Sequence, residues 1–174
     1  VYFNNATRGS IQNVKVNSTM TNTGIYVADS NYSIINNSIG ISNSNEAISE
    51  FRSDNSVISN SIGISNSSYG FIANSCRNTT IINVTGTSNS GFGISLAYGS
   101  NNTIVNSTGT ALTNGRGILF QGGASNNTIV NSSFTSNSSV GISISTGCLS
   151  NQFISCVNSL NATNSSLKFS SNAA

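Results

Sequence analysis

The residues NNTIVNSTGT span Asn101 to Thr110, and NNTIVNSSFT follows at Asn126 to Thr135. Seven residues recur unchanged, 25 positions apart. Repetition at a fixed period marks a stacked array, in which each unit buries its apolar face against the next. Working outward, the apolar residue of the motif recurs as Ile11, Ile34, Val57, Ile81, Ile104, Ile129 and Phe153, at gaps of 23 to 25. A second apolar series, Ile25, Ile48, Phe71, Ile94, Ile118, Ile142 and Leu167, stays 13 or 14 residues behind the first. The 174-residue chain is dominated by Asn, Ser, Thr and Gly, a composition shared with disordered tracts. A disordered tract would not keep two phased apolar series over seven units.

Each unit divides into three short strands. In the unit holding the opening motif they are GISL (93–96), TIV (103–105) and STGT (107–110), joined by turns, with ALTNGR returning the chain. Polar and apolar residues alternate, and no stretch shows a 3.6-residue period. Equivalent strands of successive units then stack in parallel, and a parallel crossover coils to the right. The expectation is an all-β, right-handed parallel β-helix of about seven rungs. It forms one domain over 1–174, with rungs near 1–24, 25–47, 48–70, 71–93, 94–117, 118–141 and 142–174. These repeats resemble those of the right-handed parallel β-helix, or pectin-lyase-like, proteins. They are most similar to the Asn-rich N-x-T-I-x-N…G-I repeats of NosD-like proteins. The resemblance implies the fold across the whole chain. It does not imply one function, because lyases, hydrolases, adhesins and structural proteins share that fold.

The recurring Asn of the motif falls two residues after the first series, at Asn13, Asn36, Asn83, Asn106 and Asn131. Asn tolerates the left-handed backbone of a tight corner, and its amide can bond the Asn one rung away. An Asn ladder is therefore expected along one edge. Charges, too, read as rung neighbours. Asp29 should stack on Arg52, and Asp54 on Arg77. Glu50 falls in the inward slot held elsewhere by Val27, Ala73 and Leu96. A bare buried carboxylate is costly, so a local bulge turning Phe51 inward is expected to release it.

Only 6% of the residues are charged and the net charge is +2, which offers nucleic acid no basic face. No apolar run reaches membrane-span length, so no membrane insertion is expected. The resemblance places hydrolase carboxylates on the outward positions of the first strand. Here those are Tyr26, Ser49, Ile72, Ser95, Leu119, Ser143 and Lys168, none of them acidic. There is no His for a Ser–His relay or an imidazole metal site. No catalytic, cofactor or metal residue is assigned, and no cofactor is expected. The three cysteines, Cys76, Cys148 and Cys156, read either as small buried apolar residues or, for the last two, as a bridge at a distorted end.

N-x-[ST] sequons at Asn31, Asn66, Asn78, Asn101, Asn126 and Asn137 make these candidate glycan acceptors and favour an extracellular or cell-surface setting. Two surface stripes stand out. Ile35, Ile58, Ile82, Val105, Val130 and Ile154 would form an apolar contact stripe if the pleat holds. A Thr-x-Thr pair of columns (85/87, 108/110, with 133/135) resembles the flat faces of ice-binding solenoids, with Gly40 and Gly63 in the earlier rungs. The start, VYF (1–3), aligns with the G-I strand through Tyr2 and Ile25. The chain lacks an initiating Met and visible caps, as a fragment or a head-to-tail subunit would. The resulting expectation is a non-enzymatic structural solenoid whose main partner is itself, end to end or side by side. A carbohydrate-binding or carbohydrate-processing module is the alternative.

Overall fold

The computed structural model describes residues 1–160 and 167–169, with backbone alone for 158–160 and 167–169. Each rung contributes one strand to each of three parallel sheets. The first sheet runs from Tyr2–Asn4 through Ile25–Ala28, Ile48–Phe51, Phe71–Asn74, Ile94–Ala97, Ile118–Gln121 and Ile142–Ile144 to Leu167–Phe169. The second runs from Ser10–Gln12 to Gln152–Ile154, and the third from Lys15–Ser18 to Val157–Leu160, seven described strands in each. Every strand pairs only with its equivalents one rung before and one rung after.

The core is a set of stacked columns. Ile25, Ile48, Phe71, Ile94 and Ile118 are fully buried and in register, as the second apolar series requires. The column across the lumen is Ile11, Ile35, Ile58, Ile81, Ile104, Ile129 and Phe153. The constant spacing of the first series therefore slips by one at two rungs: Ile34 and Val57 face solvent, 42% and 37% exposed, while Ile35 and Ile58 lie in the core. The physical reason is the corner that follows. Asn37 and Asn60 take the left-handed backbone, at φ 48° and 50°, so the residues two before them face inward.

The third sheet lies close against the return to the first where its inward residue is Gly, at Gly40, Gly63, Gly86 and Gly109, with Val16 and Phe134 in the flanking strands. A Cβ on Gly40, Gly63 or Gly86 would come within 2.3 Å of the carbonyl oxygen of the return strand. Gly40 and Gly63 are thus equivalents of Gly86 and lie inside. They do not occupy the Thr columns. Those columns continue instead as Ile39/Ile41 and Ile62/Ile64. At the start, Tyr2 pairs with Tyr26 rather than Ile25, so it points outward and stacks on the Tyr26 ring at 5.0 Å.

Candidate functional site

Corners carry the most regular polar chemistry. The left-handed column is Asn13, Asn37, Asn60, Asn83, Asn106, Asn131 and Ser155, with φ between 48° and 56°. Asn37 Nδ2 donates to Asn13 Oδ1 at 2.7 Å, and Asn83 Nδ2 to Asn60 Oδ1 at 3.1 Å. Asn36 is not the corner residue. It ends its strand, and its Oδ1 accepts from Asn60 Nδ2 and Ser59 Oγ at 3.0 and 2.9 Å. Two inner ladders escaped the sequence reading. Ser38 and Ser61 each accept a backbone N–H from the preceding rung through a buried hydroxyl. The buried Asn102, together with Asn127 and Asn151, does the same through its amide oxygen. The signal for the first was present as Asn-Ser at four of the corners (37–38, 60–61, 106–107 and 131–132), and for the second as the doubled Asn of NNT.

Three of the four acids, Asp29, Glu46 and Asp54, have partners within the stack. Arg52 Nη2 lies 2.8 Å from Asp29 Oδ2, an exposed pair across one rung. Asp54 does not meet the Arg77 guanidinium. Its carboxylate accepts the Arg77 backbone N–H at 2.8 Å, just as Asn31 Oδ1 accepts the Asp54 N–H. The position is a side-chain-to-backbone step, which Asn and Asp fill equally well. Glu46 accepts from the Thr23 hydroxyl at 2.9 Å.

Glu50 is fully buried, and the expected bulge is absent: Val27, Glu50 and Ala73 are in register, as are Ala28, Phe51 and Asn74. A bulge would break backbone hydrogen bonds to both neighbouring rungs. Ala73 leaves room above the longer side chain, and Arg52 over the Phe51 ring, at 4.4 Å, favours that ring outside. Neither carboxyl oxygen has a hydrogen bond of good geometry among the described residues. Burial pushes the carboxyl up to about 8, and Asp54 adds to the rise, while the nearby Ser56 side chain opposes it. The group is therefore a neutral acid at neutral pH. Burial, then Glu50, also raises the neighbouring Cys76 thiol. Cys76, Cys148 and Cys156 are free thiols, the first two buried.

The first sheet's outward column is roofed. Ile72, Ser95 and Leu119 are 5%, 0% and 4% exposed although they point away from the lumen. Residues of the return loops fold across them. Tyr69 stacks on Phe92 at 5.3 Å, and the Arg116 guanidinium lies 5.5 Å from the Phe92 ring centre. Gln121 Nε2 reaches the Tyr69 hydroxyl two rungs away, at 3.3 Å. Around the stacked Tyr2 and Tyr26 lies a groove of about 430 Å³, also lined by Thr23 and Asn45.

The expected apolar stripe does not hold as one surface. Ile35 and Ile58 belong to the core, whereas Ile82, Val105 and Val130 are half-buried and Ile154 is exposed. The six candidate glycan acceptors Asn31, Asn66, Asn78, Asn101, Asn126 and Asn137 are all exposed. The Asn66 amide is engaged on both sides, by Asn43 and Asn89. Among the described residues, no helix is long and apolar enough to cross a membrane.

Residues 1–158 match the family model described as the right handed beta helix region. The chain belongs to the right-handed beta helix family. No curated protein and no solved structure matches it. This beta helix family is broad and includes both enzymes and non-enzymes, so the match carries the fold and leaves the activity to the site.

Proposed function

We propose that this β-helix is a non-catalytic structural segment, a stiff spacer or fibre section outside the cell. The observation that carries the reading is the placement of all four acids: Asp29 pairs with Arg52, Glu46 with Thr23 and Asp54 with the Arg77 backbone, and Glu50 is buried and neutral. Glycan hydrolysis needs a spaced pair of carboxyls facing the substrate, and these four are committed to the stack. The rung edge formed by Tyr2–Asn4, Ser10–Gln12 and Lys15–Ser18 also supports the reading. On one side its backbone groups can be paired by another rung, either of the same chain or of a second copy. The exposed sequons and the low charge fit an extracellular surface carrying N-glycans.

The test combines electron microscopy of the purified chain with a reducing-end assay on pectin-like and other glycans. The reading expects extended particles and no cleavage. Carboxylate-dependent cleavage, abolished by Glu50→Gln, would overturn it. Tyr2→Lys places a charge on this rung and should shorten any end-to-end particles while leaving the β signal intact. A second reading, a carbohydrate-binding module, is favoured by the Tyr69–Phe92–Arg116 roof, whose ring faces suit sugar C–H surfaces. Calorimetric titration with oligosaccharides separates the two, since a measurable affinity lost in Phe92→Ala selects the second.

A further inference from the structure

The loops that return the third-sheet strands to the first sheet share a polar clasp. The strands ending in Ser65, Ser88 and Ser136 use that hydroxyl to accept the backbone N–H of Ser68, Gly91 and Ser139, over 2.8 to 2.9 Å. Between Ser88 and Ser136 the register places Ala111, which has no hydroxyl. The loop after Ala111 is also one residue longer. Leu112 and Thr113 donate to the Ser88 and Asn89 carbonyls, just as Asn89 and Ser90 donate to those of Ser65 and Asn66. A Cβ on Gly115 would run into the Gly91 carbonyl, as one on Gly91 would run into that of Ser68. Gly115 is therefore the equivalent of Gly91, and Asn114 is the inserted residue. Asn114 is exposed, and among the described residues its backbone bonds to neither adjoining rung. The Gly115 N–H has lost the clasp that holds its equivalents.

We propose that Asn114–Gly115 is a site of spontaneous backbone modification, at which the Asn114 amide is lost and an aspartate or isoaspartate takes its place. The Gly115 nitrogen gives its proton to solvent hydroxide and attacks Asn114 Cγ. The N–Cγ bond forms, the Cγ–Nδ2 bond breaks, and the amide nitrogen takes a proton from water and leaves as ammonia. Water then opens the five-membered imide. Attack at Cγ restores the ordinary peptide and leaves a side-chain carboxylate. Attack at the Asn114 main-chain carbonyl leaves the chain running through Cγ. One water enters, one ammonia leaves, and nothing is oxidised or reduced. Gly brings no side chain to hinder the attack, and Asn114 is the one Asn that Gly follows. Elsewhere the attacking nitrogen is engaged. After Asn37, Asn83 and Asn106 its N–H donates to the inner Ser column. After Asn78 and Asn101 it donates to a buried Asn amide oxygen. The product adds one negative charge to a chain of net charge +2. It sets a carboxylate two residues before Arg116, whose buried Nε has no acceptor among the described residues. This inference goes beyond the structural reading and does not depend on it.

The test is to incubate the intact folded chain at mildly alkaline pH and follow it by peptide mapping with mass spectrometry, in ordinary and in oxygen-18 water. Asn114 should convert about 10-fold faster than the exposed Asn66 and Asn137, which Ser follows, and each product should carry one oxygen from water. Ala111→Ser supplies the missing hydroxyl and should slow conversion about 10-fold, the rate equivalent of one hydrogen bond. In concentrated urea, where no clasp forms, this variant and the wild type should convert at the same rate. Asn114→Gln should abolish the early product and leave the β signal intact. A folded wild-type chain whose Asn114 persists as long as Asn66 and Asn137 would overturn the proposal. So would conversion in the folded chain that is indifferent to Ala111→Ser, since the missing clasp would then play no part.

Discussion

At the residue scale, Glu50 decides the pH response. Its folded pKa, about 8, lies above its ordinary value of 4.5, so the folded state holds a proton that the unfolded state releases across that window. The contribution to stability is complete below pH 4.5 and is lost as pH rises toward 8. The slope approaches about 1.4 kcal/mol per pH unit. Urea unfolding measured at pH 5 and pH 8 should therefore show a more stable protein at pH 5. In Glu50→Gln, which has no titrating proton, that difference should vanish. A wild-type protein equally stable at both pH values would show that the carboxyl ionises freely. The corner Asn residues make a second case. Asn83→Ala should cost about 1–2 kcal/mol, by placing in the left-handed region a residue that tolerates it less well than Asn and by removing the amide bond to Asn60. Asn83→Gly should recover the backbone share, and chemical denaturation of the three proteins measures both terms.

At the scale of the strand, the third sheet shows what small inward residues are for. Gly86→Ala puts a methyl group 2.3 Å from the Gly93 carbonyl oxygen, so the return strand must move. The expected cost is about 3 kcal/mol. Thr87→Ala, on the outer side of the same strand, should cost less than about 0.5 kcal/mol. Equal losses in the two variants would mean that the close approach is not tight.

This scale also shows how far the sequence could be read. The two phased apolar series placed the first and second sheets, because a period near 23 leaves few other ways to bury so many Ile residues, and the STGT segment between corner and return placed the third. It misplaced the register at Ile34–Ile35 and Val57–Ile58. Two adjacent apolar residues give no alternation, and there only the corner Asn fixes the inward side. Glu50 was misread for a related reason. The cost of one buried carboxyl was weighed without the backbone bonds that a bulge would break on two neighbours. The roof of Tyr69, Phe92 and Arg116 was not legible at all, since loop side chains crossing rungs leave no periodic trace.

At the scale of the whole molecule, each rung touches only its neighbours, so stability should grade along the axis. Native-state hydrogen exchange should be slowest for the amides of Phe71–Asn74 and Ile94–Ala97, which have several rungs on either side. It should be fastest for Tyr2–Asn4. Uniform protection from the first strand to the last would show a globally cooperative unit in place of a nearest-neighbour stack.

The unchanged motif at Asn101 and Asn126 has a further consequence. Rungs that begin with the same residues, turn the same corner and bond to identical neighbours are interchangeable parts. Removing the 25 residues between the two copies of the motif joins Asn101 to its own equivalent, and the strands on both sides still find partners. The protein then has a length that can change by one unit, about 4.8 Å, at a time. A chain with one unit fewer or one unit more should therefore fold as this one does, differing only in its reach along the axis.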